Sequence, residues 1–314
     1  MKRIYISTVN RREAPGSLGE SAGKVYVLDW ETKELISDFS SMKINKTCYM
    51  QPGRSHGSRG ITVHEDSLCI AGSNNTVGYY DLDTLELKKE IKFDAPKVKA
   101  LHQIKDHDGY LYIVSTGTDR LLKVKDGETV EEIDLIGQAK ELDKYISQLW
   151  KGTTHWPKDK LHFNSIGWDD NGDEYHLYFS AGVVYNYTKQ EVAVQKDFLR
   201  GTHDLCFSDN YVYVSGSTAR TVFKIDLKTG QEQRVFHVDD YDEMPKNRDK
   251  NEICHWGMLR GMVLYEDRVF VCRAPVKVFE LLCNENRIEL IDSLNLSSTY
   301  YESVYDIALD PRDW

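Results

Sequence analysis

The sequence predicts an all-β chain folded as a six-bladed β-propeller, closed by one C-terminal strand plus three N-terminal strands. Three observations carry this expectation. Short runs rich in Val, Tyr and Phe alternate with polar turns along the chain. The runs recur in groups of about 40 residues, the size of one propeller blade. The pattern is incomplete at both ends, and the two partial copies complement each other.

Residues 200–230 show the unit in full. An apolar run at 203–207 precedes a turn at 208–210. An aromatic and β-branched alternation follows at 211–215, then a turn at 216–219 and a third strand at 221–225. A hairpin turn at 226–230 leads to a fourth strand beginning at 233. Aligning on this unit recovers strands at 59–63, 68–72, 77–81 and 87–91, then at 102–104, 110–114, 121–124 and 130–133. Further units give 164–168, 176–180 and 182–186, and then 260–264, 268–272 and 276–280. The remaining unit is split: residues 305–309 supply its first strand, and 2–7, 24–28 and 34–36 supply the rest. A ring of blades leaves a sheet edge open unless the chain ends pair, so the split has a physical motive. The expected organisation is a single domain over residues 1–314.

Composition narrows the partners. A net charge of −10 argues against nucleic acid, whose phosphates need a basic surface. No run approaches the roughly 20 apolar residues of a membrane span, and the N-terminus lacks a signal-peptide core. Of the 6 cysteines, Cys69, Cys206 and Cys272 fall inside predicted strands and no CxxC pair occurs. Reduced, buried thiols in a cytoplasmic protein are expected.

The long connections fall at 10–23, 38–58, 135–161 and 238–259. In the propeller topology all of them share one face, where they would wall or lid the channel mouth or bind a protein partner. Residues 138–150 carry helix-like spacing and predict a short helix there. The first residue of each innermost strand lies on the same face, near the axis. In order these are Arg59, His102, Asn164, His203, Arg260 and Tyr305, followed one position on by Gly60, Gln103, Ser165, Asp204, Gly261 and Asp306. Convergent polar side chains in a concave mouth mark a ligand site. The plainer reading is that such groups, Asp204 and Asp306 above all, only satisfy neighbouring strands.

The residue types suggest chemistry. His102, Asn164 and His203 have the nitrogen and amide donors of a divalent metal ion site of unspecified identity. Arg59 and Arg260 suit an anionic small-molecule ligand, carboxylate or phosphate. His102, His203 and Tyr305 are the candidate catalytic residues. Asp204, His56 and His255 join the arginines as candidate substrate-binding residues, and Lys99, His162, Arg200, Cys254 and Trp256 stand nearby in the loops.

The six-bladed repeat, with Asn164-Ser165-Ile166 opening a blade and an acidic residue at Asp204, resembles the gluconolactonase and senescence-marker-protein group and related NHL-type propellers. That resemblance implies a divalent metal at the channel mouth and hydrolysis of lactones or phosphoesters. It aligns Asn164 with the group's amide metal ligand. The group's acidic ligands have no counterpart in the column, where histidines and arginines stand. Three readings follow. The first is a metal-assisted, hydrolase-like enzyme acting on an anionic small molecule. The second is a metal-free lyase or isomerase using His, Tyr and Arg, and the third a binding propeller without chemistry.

Overall fold

The computed structural model describes residues 1–10, 23–41, 56–94, 97–146, 159–243, 256–284, 288–297 and 302–314. The chain is an all-β propeller. The N-terminal strands are β1 (Arg3–Asn10), β2 (Val25–Asp29) and β3 (Glu34–Phe39). Then come β4 (His56–His64), β5 (Ser67–Gly72), β6 (Thr76–Asp81) and β7 (Leu87–Lys92). The next sheet holds β8 (Leu101–His107), β9 (Tyr110–Ser115), β10 (Arg120–Lys125) and β11 (Glu128–Asp134). Another holds β12 (Phe163–Trp168), β13 (Glu174–Tyr178), β14 (Val183–Asn186) and β15 (Glu191–Gln195). The last two are β16 (Thr202–Ser208) to β19 (Glu232–His237), through β17 (Tyr211–Gly216) and β18 (Thr221–Asp226), and β20 (Leu259–Tyr265) to β23 (Ile288–Asn295), through β21 (Arg268–Arg273) and β22 (Lys277–Cys283). β24 (Glu302–Leu309) ends the series.

Every one of these sheets is an antiparallel meander. The outer hairpins share one device. The carboxylate of Asp81 accepts the amides of Asp83 at 2.9 Å and Thr84 at 2.8 Å, and Asp226 does the same for Lys228 at 2.7 Å and Thr229 at 3.0 Å. An Asp at the first turn position thus closes the hairpin that its sequence neighbours request.

The chain ends meet in one sheet. β24 pairs with β1, with Ile4 opposite Leu309 and Ile6 opposite Ile307, and β1 pairs onward to β2 and β2 to β3. The Tyr5 hydroxyl donates to Asp310 at 2.9 Å, and Arg3 pairs with Asp313 at 3.0 Å. Apolar faces on both sides seal this sheet: Tyr5 and Val27 pack with Ile61, Leu68 and Ile70, while Ile4, Tyr26 and Leu28 pack with Phe270, Cys272 and Val278. The end strands pair as the split unit anticipates. β1 also reaches β4, where Val9 faces Gly57 and Asn10 faces His56, so that β24 and β1–β7 form one eight-stranded sheet. The first strands form a closed ring, each packing against the next from β4 through β8, β12, β16 and β20 to β24, and β24 against β4.

Two expectations need correction. The units at 164–186 and 260–280 each have a fourth strand, β15 and β23, that the sequence alternation did not disclose. The helix expected at 138–150 is α1, Ile136–Glu141, and ends there. The apolar spacing is real, since Ala139, Leu142 and Ile146 pack against Phe163 and Tyr178, but turns rather than helix carry the last two into the core. Much of the long-connection face lies outside the described residues, and with it the expected lid.

Candidate functional site

Each strand of the inner ring breaks its ladder at the same place. On β4 the register with β5 jumps from Ser58 to Ile61, passing over Arg59 and Gly60. On β8 it jumps from Leu101 to Ile104, passing over His102 and Gln103. On β12 it passes over Asn164, on β16 over His203 and Asp204, and on β20 over Arg260 and Gly261. On β24 it passes over Tyr305. A bulge frees a residue from the pleat and turns its side chain toward a new direction. Here the bulges turn the whole sequence-predicted column toward the axis.

The side chains converge. The ring of Tyr305 lies 5.4 Å from His102 and edge-on to it, and His102 lies 6.3 Å from His203 with the rings 15° from parallel. The guanidinium carbons of Arg59 and Arg260 stand 5.7 and 5.1 Å from the Tyr305 ring centroid. His162, at a positive φ of 51°, brings its ring 5.7 Å from His102, and Phe179 packs at 4.9 Å from His162 and 5.7 Å from His203. Arg59, His203 and Tyr305 are buried, and Asn164 is 1% exposed.

Hydrogen bonds fix the tautomers. His102 Nδ1 lies 3.0 Å from the Ala100 carbonyl, which only accepts, so Nδ1 carries the proton and Nε2 is the basic nitrogen. The Ser217 hydroxyl donates to the Leu259 carbonyl, so at 2.7 Å it accepts from His203 Nδ1. His162 Nδ1 likewise faces the Asp159 carboxylate at 3.0 Å. Burial, and then the neighbouring Arg59 and His162, hold His102 well below the usual imidazole range, so it is neutral at pH 7. Burial also lowers Arg260, while Tyr305 and Asp204 support its charge.

One layer deeper is a polar lattice. Asp204 accepts from Gln103 Nε2 at 2.9 Å, from the Gly261 amide at 2.8 Å and from Ser215 at 3.4 Å. Gln103 in turn accepts from Ser165 Oγ at 2.8 Å and the Ile166 amide at 2.9 Å. Asp306 accepts from the amides of Ile307 at 2.9 Å and Ile61 at 3.2 Å. These bonds lash neighbouring inner strands together, and Asp204 is a strut of that lattice with both its oxygens engaged. Burial pushes both carboxyls up, and Asp204 drives Asp306 further, to about 8. Lys105, which the column reading missed because it lies beyond the bulge, opposes both shifts.

The other expected residues divide. His56 is in β4 opposite Asn10, and its side chain is not described. Cys254 and His255 lie outside the described residues. Arg200 is spent on Asp197 and on the Tyr145 carbonyl, 2.8 Å away. Trp256 is buried with Arg220 and Arg273 against its ring. Ser217 and Phe179 were not anticipated; Ser217 sits in the turn after β17, at a place that gave no sequence signal.

The divalent metal implied by the resemblance would meet two imidazoles and one amide oxygen here. The Asn164 amide and the histidines supply no negative charge, two guanidinium groups face them, and the carboxylates below are engaged. Among the described residues no cluster of three or more His, Cys, Asp or Glu is arranged to hold a metal ion.

No family model matches the sequence, and no curated protein does. Solved structures match over nearly the full length. The chain is similar to a protein in the nidogen/laminin complex, at 10% identity and a TM-score of 0.61, over 98% of each chain. It is similar to a catalytically inactive virginiamycin B lyase from Staphylococcus aureus with quinupristin, at 10% identity and a TM-score of 0.51, over 87% of this chain and 83% of that one. It is also similar to a candidate 6-phosphogluconolactonase from Bacteroides uniformis, at 10% identity and a TM-score of 0.52, over 94% and 83%. Enzymes and a partner of a structural complex stand together here, so the likeness establishes the propeller fold alone. Among the described residues no helix is long and apolar enough to cross a membrane.

Proposed function

We propose that this is a six-bladed, single-domain propeller whose channel mouth binds a small anionic molecule and moves a proton on it without a metal. The six-blade reading takes the eight-stranded sheet as two blades joined by the short β1–β4 contact, which matches the inner ring of β4, β8, β12, β16, β20 and β24. The observation that carries the function is the pairing of Arg59 and Arg260 about Tyr305 with a neutral His102 across from them. Arg260 Nε is buried and has no hydrogen-bond partner among the described residues, as a donor waiting for an anion would be. The guanidinium groups would hold a carboxylate and stabilise charge that develops beside it. His102 Nε2 would take the proton from the adjacent carbon, and Tyr305 would return one. The reaction class is a lyase or isomerase step. The lyase and the lactonase among the similar folds are in keeping with a small-molecule site, though each resembles this chain in fold only.

Hydrogen–deuterium exchange tests this. Short-chain mono- and dicarboxylates incubated with the protein in D₂O and chelator should show exchange of the hydrogen next to the carboxylate by NMR. His102→Gln should abolish the exchange and keep binding. Exchange that needs an added metal, or none in any bound carboxylate, would sink the proposal.

A further inference from the structure

We infer that the mouth is two-sided and selects a hydroxycarboxylate, an anion with a hydroxyl on a carbon near the acid group; this rests on the anion-site reading above. The ring of bulged residues divides cleanly. Arg260, Tyr305 and Arg59 lie on consecutive inner strands β20, β24 and β4, and form a cationic half. His102, Asn164 and His203 lie on the next consecutive strands β8, β12 and β16, and form an acceptor half.

The acceptor half is defined atom by atom. Asn164 Nδ2 donates to the Thr202 carbonyl at 3.0 Å, which fixes the amide's orientation, because a carbonyl cannot pair with Oδ1. Oδ1 is therefore presented as an acceptor. It is buried and has no hydrogen-bond partner among the described residues. A buried acceptor left unsatisfied is costly, and a ligand donor removes that cost. Beside it the imidazole of His102 spends its Nδ1 proton on Ala100, so it offers Nε2 as an acceptor too, while His203 spends its Nδ1 proton on Ser217. A ligand for this half brings a hydrogen-bond donor.

A hydroxyl fits better than an ammonium. Among the described residues neither half contains a carboxylate, since Asp204 and Asp306 lie in the lattice beneath. The two guanidinium groups act on His102 itself and would repel a second cation. The span is small: His102 is 5.4 Å from Tyr305 in one half and 6.3 Å from His203 in the other, so one ligand of a few carbons touches both.

The test is a matched series in isothermal titration with the full chain: malate against succinate, with aspartate as the amino counterpart. The expected result is that malate binds at least about tenfold more tightly than succinate. Aspartate should bind no better than succinate. In Asn164→Leu the malate preference should fall toward unity while succinate affinity holds. Equal binding of malate and succinate by the unaltered protein overturns the inference but leaves the anion site standing, and this comparison needs no variant to fold. A preference for aspartate overturns it as well. Failure of all the acids to bind removes both the anion-site reading and the inference that rests on it.

Discussion

His102 and Tyr305 meet edge to face with ring centroids 5.4 Å apart, although the strands that carry them, β8 and β24, are separated by β4. Contact across an intervening strand is possible only where side chains leave their sheets and turn to the axis. The bulges that pass over the column residues provide that turn, and the chemistry of the mouth follows from it.

His102 should titrate far from the ordinary imidazole range. Burial and the nearby Arg59 and His162 disfavour its cation, and the Ala100 carbonyl holds the proton on Nδ1. Nitrogen NMR should therefore show a neutral, Nδ1-protonated ring throughout pH 6 to 8. An imidazolium signal at pH 6.5 would remove His102 from the role of base.

Asp306 makes stability depend on pH. Its folded pKa, near 8, is above that of an unfolded Asp, so the folded chain holds a proton that the unfolded chain has released. This contribution is fully present below the unfolded value, declines as pH rises and is lost above about 8. Asp306→Asn, which cannot release a proton, should flatten the fall in denaturation midpoint between pH 5 and pH 9. An equally steep fall in the variant would refute the assignment.

Gly60 is a packing requirement. A Cβ there would come within 2.6 Å of the Ile104 amide nitrogen and 2.8 Å of the Gln103 carbonyl carbon, both backbone atoms of the neighbouring inner strand. Neither can swing aside as a side chain would. Gly60→Ala should cost about 3 kcal/mol or more in chemical denaturation. A loss well under 1 kcal/mol would mean that the inner strands are less tightly apposed than described.

Function and stability should separate within one sheet. Val212 and Val214 of β17 are fully buried, and Val212→Ala should cost about 2 kcal/mol with ligand binding retained in the folded fraction. His203→Ala loses the bond to Ser217 and a ring that faces His102 in the mouth, so it should lower binding more than melting temperature. The reverse ranking would place His203 among the struts.

Much of the strand plan is legible in the sequence because antiparallel blades write it in period-two alternation and Asp-led turns, as at Asp81 and Asp226. The split closing unit is legible for the same reason, since residues 305–309 and 2–7 lack partners elsewhere. β15 is less visible: Glu191–Gln195 is only 5 residues long, an outer strand that buries Val194 alone. The column could be named because it lies near the start of each inner strand, but the bulges that aim it could not, as register is a property of two strands together. The separation of the mouth from the lattice was hidden as well. Asp204 and His203 are adjacent residues, and only the partners Gln103, Gly261 and Ser217 show that one holds strands while the other faces the mouth.

The central claim is an anion site built on two arginines, and titration of malate into the unaltered protein and into Arg260→Met measures it most directly. Saturable binding that weakens at least about tenfold in the variant, at unchanged melting temperature, is the result expected from loss of a charged hydrogen-bond donor. Binding of equal strength in both proteins would contradict it.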